Sequence, residues 1–178
     1  MEKRLRVVGA FKGFIWLQGC SDCTAECAGN YLERFSRMVS LWNEHFGAHP
    51  VLTVQLNRWM GNEDPMNDRY WCINREAQRR AALEIPGVYV VSSLDLSVTD
   101  GIHNSSGANV TIGERLANAA LSYLYDKPGQ RSVCILSAEA VDDTHVLLHL
   151  TPGHKVLAMD GRAMGMNVED TDWLVDCI

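Results

Sequence analysis

Three short apolar runs, each followed by a stretch of polar or helical character, constrain this chain more than any other feature. Residues 14–17 (Phe-Ile-Trp-Leu) end at Gln18-Gly19 and predict a buried strand. Tyr31, Phe35, Met38, Val39, Trp42 and Phe46 recur at helical spacing, so residues 26–46 predict an amphipathic helix. Residues 51–56 predict a second strand, residues 57–69 a long polar loop, and residues 74–83 a second helix that stops before Pro86-Gly87. Residues 88–91 predict a third strand. A polar loop then carries Asp95, Asp100 and His103 into a third helix marked by Ile112, Leu116, Ala119, Ala120 and Tyr123, with Thr111 and Glu114 at capping-box spacing near its start.

Strand alternating with helix means parallel strands joined by crossovers, an α/β fold with a parallel sheet. All three strands are near-continuous apolar runs, the pattern of strands covered on both faces. The composition changes after residues 126–129 (Asp-Lys-Pro-Gly). Residues 133–136, 146–150 and 156–159 predict short strands in a small antiparallel β unit. The expected division is residues 1–126 for the α/β domain and 127–178 for the β unit.

Composition excludes several classes. At 178 residues and 47% hydrophobic content the chain can bury a core and is not a disordered one. A net charge of −6 without a basic run argues against nucleic acid or an anionic membrane surface as partner. No apolar run approaches the ~18 residues of a bilayer span, and residues 1–12 do not read as a signal peptide. Six cysteines are present, and Cys20, Cys23 and Cys27 form a C-x-x-C-x-x-x-C cluster without a fourth ligand at zinc-site spacing. Buried thiols, a disulfide within the cluster, or a metal or redox site are the readings it admits.

In an open α/β sheet the ligand site lies beyond the carboxyl ends of the strands. Those ends are Gln18-Gly19-Cys20, Asn57-Arg58 and the loop from Asp95 to His103. Asp100 and His103, three apart, let a carboxylate hold one imidazole nitrogen and leave the other to act as a base. A second D-x-x-H, Asp142 to His145, falls in the β tail, where a surface role is expected. Gln18 can offer an amide to a developing oxyanion, and Gly19 allows close approach to the backbone. Cys20 is a nucleophile candidate with His103 as base. Trp59, Tyr70 and Trp71 bracket the long loop and are candidates for stacking on a sugar or for packing.

The segment Lys12-Gly13-Phe14-Ile15-Trp16-Leu17-Gln18-Gly19-Cys20-Ser21-Asp22 resembles the K-G-[VI]-I-W-Y-Q-G-E-S-N/D block of the sialate O-acetylesterase family, carbohydrate esterases of the SGNH-hydrolase type. Val54-Gln55-Leu56, Arg75-Glu76-Ala77-Gln78, Asp100-Gly101-Ile102-His103 and Ile112-Gly113-Glu114-Arg115-Leu116-Ala117 continue the resemblance in order, over roughly residues 12–125. It implies a three-layer α/β/α sandwich and removal of acetyl esters from sugars through a serine acyl-enzyme, with no cofactor and no metal. Matched residue by residue, His103 is the general base, Asp100 its orienting carboxylate and Gln18 an oxyanion donor beside Gly19. The family's acidic residue after Gln-Gly is Cys20 here. The family's G-Q-S-N nucleophile block has no counterpart, and Ser21, Ser105 and Ser106 are not in a comparable strand-to-helix turn.

The expectation is therefore the closing portion of an SGNH-like catalytic domain. Its partners would be an O-acetylated carbohydrate and the missing N-terminal segment, with neither nucleic acid nor membrane. The resemblance implies a secreted, periplasmic or lysosomal setting. Two other readings remain: a non-catalytic carbohydrate-binding or interaction module on the same fold, and a thiol-dependent or metal-binding protein built on Cys20, Cys23 and Cys27.

Overall fold

The computed structural model describes residues 3–4, 7, 9–61, 65–133, 135–142, 145–150, 156–159, 163–166 and 172–176. Cys134, Cys177 and residues 1–2 and 62–64 lie outside them, as do the side chains of His145 and of the strands from residue 156 onward. The chain divides into two units, residues 1–132 and 133–178.

The first unit holds three parallel strands, β1 (Phe14–Trp16), β2 (Val51–Gln55) and β3 (Val88–Ser92), in the order β1-β2-β3. Phe14 pairs with Val51 and Val51 with Val88, so the strands run in register from their first residues. Helix α1 (Tyr31–Phe46) connects β1 to β2, α2 (Pro65–Glu84) connects β2 to β3, and α3 (Ser106–Leu124) follows β3.

Strand alternation sends successive side chains to opposite faces, and two cores result. Phe14, Val51 and Val88 meet Tyr31, Phe35 and Val39 of α1 and Ala77 and Ala81 of α2. Leu52, Val54 and Val91 meet Ile112, Leu116 and Ala119 of α3. Helices therefore cover both faces of the sheet, giving an α/β/α arrangement. The central strand is the most protected, with Val51, Leu52, Thr53 and Val54 each at 2% exposure or less. Burying an aliphatic side chain this fully stabilises by roughly 1.5–3 kcal/mol, so β2 anchors the unit.

β1 departs from the sequence expectation. Its Phe14 face is packed, but Ile15 and Leu17, which point the other way, are 67% and 56% exposed. An apolar run reads as doubly covered because the sequence carries no record of which neighbours reach each face; α3 reaches β2 and β3 and leaves this part of β1 open. Three further boundaries differ. α1 begins at Tyr31, behind a 3-10 turn at Ala28–Asn30, rather than near residue 26. α2 begins at Pro65, inside the expected loop, because proline is favoured in a helix's first turn, where its missing N–H has no partner to lose. α3 begins five residues before Thr111, with Ser105 as its N-cap: the Ser105 hydroxyl accepts from the Ala108 N–H. Thr111 lies inside the helix and donates to the Gly107 carbonyl.

In the second unit β4 (Ile135–Ala140), β5 (His145–Leu150) and β8 (Asp172–Asp176) form an antiparallel sheet with β5 in the middle, and β6 (Val156–Met159) pairs with β7 (Ala163–Met166) as a hairpin. The tail is antiparallel β as expected, with two strands more than the sequence pattern marks. Glycine and charged residues in β7 and β8 dilute the apolar signal.

Candidate active site

β1 ends in a sharp change of direction at Gly19, whose φ of 143° is one that side-chain-bearing residues rarely adopt. A Cβ there would also lie 2.8 Å from the Gln78 amide nitrogen. The chain then winds into a 3-10 turn, Cys20–Asp22. This places Gln18 beside Asp22, and the Gln18 Nε2 donates to Asp22 Oδ2. Asp22 is buried, and its other oxygen accepts from Arg34 Nη1 of α1 at 2.8 Å. A carboxylate oxygen accepts only, which fixes the Gln18 amide with its NH2 toward Asp22 and leaves one N–H of that group for another acceptor. The Gln18 carbonyl is held by the Tyr31 hydroxyl at 3.2 Å and by Gln78 Nε2 at 3.0 Å.

α2 supplies the polar frame. Trp71, Asn74, Gln78 and Ala81 share its buried face at helical spacing. Gln78 accepts from the Leu56 N–H at 2.8 Å while donating to Gln18, so one side chain ties the ends of β1 and β2. Asn74 donates to the Gly19 carbonyl at 2.9 Å and to Cys23 Sγ. Cys23, Leu56 and Trp71 form a small core with Trp59, Tyr70 and Ile102, which joins the turn after β1 to the loop after β3.

That loop carries Asp100 and His103. The Asp100 Oδ1 accepts the backbone N–H groups of Ile102 and His103, both at 2.8 Å, and its Oδ2 lies 2.7 Å from His103 Nδ1. These bonds, the backbone pair first, pull the Asp100 carboxyl down to about 2. With the Asp100 carboxylate at Nδ1, Nε2 is the ring nitrogen left open to other partners. Both side chains are exposed, His103 at 71%. The base of the loop is fixed from α3: Arg115 bridges the Ser92 carbonyl and, with both terminal nitrogens, the Asp95 carboxylate, which it holds below its ordinary range.

The candidates from sequence thus separate by position. Gln18-Gly19 sits past β1 and Asp100–His103 past β3, on either side of β2, with roughly 10 Å between the two outer strands. Trp71 is 2% exposed and its indole N–H donates to the Asn57 carbonyl. It is a packing residue with no ring face open to a sugar, which leaves the packing reading and corrects the one as a sugar contact; its partners on the buried helix face, Asn74 and Gln78, are polar, which hid its place there. Trp59 packs against it, ring centroids 5.4 Å apart, and is partly exposed. Cys20 is exposed, Cys23 is buried and Cys27 is intermediate. Desolvation by the surrounding protein raises the thiol of Cys20, despite its exposed face, and that of the buried Cys23, the latter to about 12, so neither is poised as a thiolate. Among the described residues no three His, Cys, Asp or Glu side chains are placed to share a metal ion.

Sequence reasoning placed Asn57 at a strand end without giving it a role, and missed Asn74, Gln78 and Arg115 as parts of the site. Asn74 and Gln78, four apart on the face shared by Trp71 and Ala81, carry a signal that was there to find: amides where a helix otherwise presents apolar groups.

A carboxylate-held imidazole past one strand and a side-chain amide past another, on the carboxyl edge of a parallel sheet, are groups that acyl transfer can use beside a nucleophile. A family model for carbohydrate esterases, the sialic acid-specific acetylesterases, matches residues 1–122. The chain belongs to that family. Among solved structures it is similar to a carbohydrate acetylesterase from Xanthomonas citri, with a TM-score of 0.71 and 23% identity over 95% of this chain and 42% of that one. It is also similar to a protein from Arabidopsis thaliana, with a TM-score of 0.58 and 26% identity over 69% of this chain and 49% of that one. A search of curated proteins found no match. The chain spans less than half the length of either solved structure.

Proposed function

We propose that this chain forms the base-and-oxyanion portion of a carbohydrate O-acetylesterase site, of the sialate type, and works with a serine nucleophile supplied by polypeptide outside the 178 residues. The observation that carries the reading is the Asp100–His103 pair: a carboxylate locked by two backbone N–H groups, 2.7 Å from Nδ1, on the loop past β3. His103 Nε2 takes the proton of the serine hydroxyl as it attacks the acetyl carbonyl, then gives it to the departing sugar oxygen. The free N–H of Gln18 meets the oxyanion that forms between those steps. A water repeats the cycle to release acetate.

Two features support a nucleophile from elsewhere. The sequence has no G-Q-S-N block, and Ser21, though it stands in Gly19-Cys20-Ser21, lies in the 3-10 turn after β1 rather than at the start of a long helix. β1 also exposes Ile15 and Leu17 and, among the described residues, pairs with β2 alone. An added strand along β1 would pair its open edge and bring its own carboxyl end beside Gln18, and a helix packed over that strand would cover them.

The test is turnover of p-nitrophenyl acetate by this chain joined to a segment bearing the nucleophile block. His103→Ala is expected to lower kcat by ~10³-fold or more, while His145→Ala and Cys20→Ser stay within a few-fold of the parent. Equal losses from His103→Ala and His145→Ala, or abolition by Cys20→Ser with alkylation at that thiol, would overturn the assignment.

A further inference from the structure

We infer that Asn57, just past β2, is a positioning residue for the Asp100–His103 pair: its side-chain NH2 group clamps the histidine-bearing loop to the sheet. The kinetic part of this inference rests on the esterase reading above; the structural part does not.

The loop after β3 is stitched to itself. Val98 pairs with Asn104 in an isolated bridge, the Thr99 N–H donates to the His103 carbonyl at 2.9 Å, and the Ser105 N–H donates to the Ser97 carbonyl at 3.0 Å. With the Asp100 bonds, these set the loop's internal shape. They do not set where its tip stands relative to the strand ends. That placement comes from the chain leaving β2. The Met60 N–H donates to the Gly101 carbonyl at 2.9 Å. Asn57 Nδ2 donates to the Ile102 carbonyl and to Asn104 Oδ1, both at 2.8 Å. The three acceptors, at residues 101, 102 and 104, flank His103 on both sides.

The direction of donation is fixed by chemistry. The Ile102 carbonyl can only accept, so the Asn57 atom facing it is the NH2 nitrogen, and both of its hydrogens are used. Asn57 is itself held still. It is 3% exposed, and its carbonyl accepts the indole N–H of the buried Trp71. The geometry therefore runs from the most protected strand, through one amide, to the residues on each side of the base. A base displaced by about 1 Å can cost on the order of 10²-fold in rate, so a clamp of this kind acts on kcat with little effect on binding.

Two substitutions of equal shape separate a clamp from packing. Asn57→Asp keeps the volume but turns the donor into an acceptor facing two acceptors. Asn104→Asp keeps an acceptor for Nδ2. In the full chain, hydrogen exchange of the amides at 101–104 is expected to quicken at least tenfold in Asn57→Asp and to stay within threefold of the parent in Asn104→Asp, with Thr53 and Val54 unchanged in both. Joined to the nucleophile segment, Asn57→Asp should lower kcat by roughly 10- to 100-fold with KM within threefold. If Asn57→Asp loosens the whole domain, Asn104→Ala decides instead, by removing one acceptor from a half-buried position; faster exchange confined to 101–104 supports the clamp. Parent-like exchange at 101–104 in Asn57→Asp, or in Asn104→Ala where that variant decides, overturns the clamp. A loosened loop with unchanged kcat overturns the positioning role. An inactive parent enzyme overturns the esterase reading and leaves the exchange result to judge the clamp by itself.

Discussion

Asp100 concentrates the site's electrostatics in one side chain. Its carboxyl is drawn from 3.8 to about 2, first by the Ile102 and His103 backbone N–H groups and then by the His103 ring. A carboxyl with a folded pKa below its unfolded one adds stability that is complete above the unfolded value and disappears as pH falls through the folded value. The local order of residues 100–103 should hold from pH 7 down to about 4 and be lost between about 4 and 2. Backbone amide shifts of Ile102 and His103, followed by NMR across that window, check this. A transition centred at the ordinary carboxyl pKa would mean that these bonds are not kept in solution. The Asp100–His103 relation was legible in the sequence because both ends lie in one short motif. The role of Asn57 was not: its place at a strand end is legible, but its partners at 102 and 104 are distant in the chain. For the same reason the sequence could not choose between stacking and packing for Trp71: its burial depends on Leu56 and Cys23, which no local pattern connects to it.

Among the elements, α3 carries the most weight for the site. Its N-cap closes the histidine loop, and its Arg115 pins the exit of β3. The capping oxygen is that of Ser105, bonded to the Ala108 N–H at 3.1 Å and close to Ser97 Oγ at 2.6 Å. Ser105→Ala should therefore cost about 1 kcal/mol of stability, read from the urea midpoint, whereas Thr111→Ala should stay within roughly 0.5 kcal/mol of the parent. The reverse order would restore the Thr111-Glu114 capping box that the sequence suggests. Periodicity located the three parallel strands and the cores of α1 and α3, because apolar spacing is what packing selects. It lost the first turns of α2, where residues 65–70 are largely polar, and the start of α3, where Ser105-Ser106-Gly107 looks like loop.

On the scale of the molecule, the first unit is a sheet protected on β2, covered by helices on both faces, and open along β1. Exposed apolar groups on an edge strand favour addition of another strand, and the matched part of the chain spans less than half of either similar solved structure. The central claim is that base and oxyanion donor reside here and the nucleophile does not. The direct measurement is intact-mass analysis after reaction with a fluorophosphonate probe, made on the chain alone and on the chain combined with a segment carrying the family's nucleophile block. No adduct is expected on the chain alone. One adduct is expected in the combination, on the added segment's serine, formed at a rate that collapses in His103→Ala. An adduct on a serine of this chain by itself, Ser21 foremost, together with hydrolysis of acetyl esters, would contradict it.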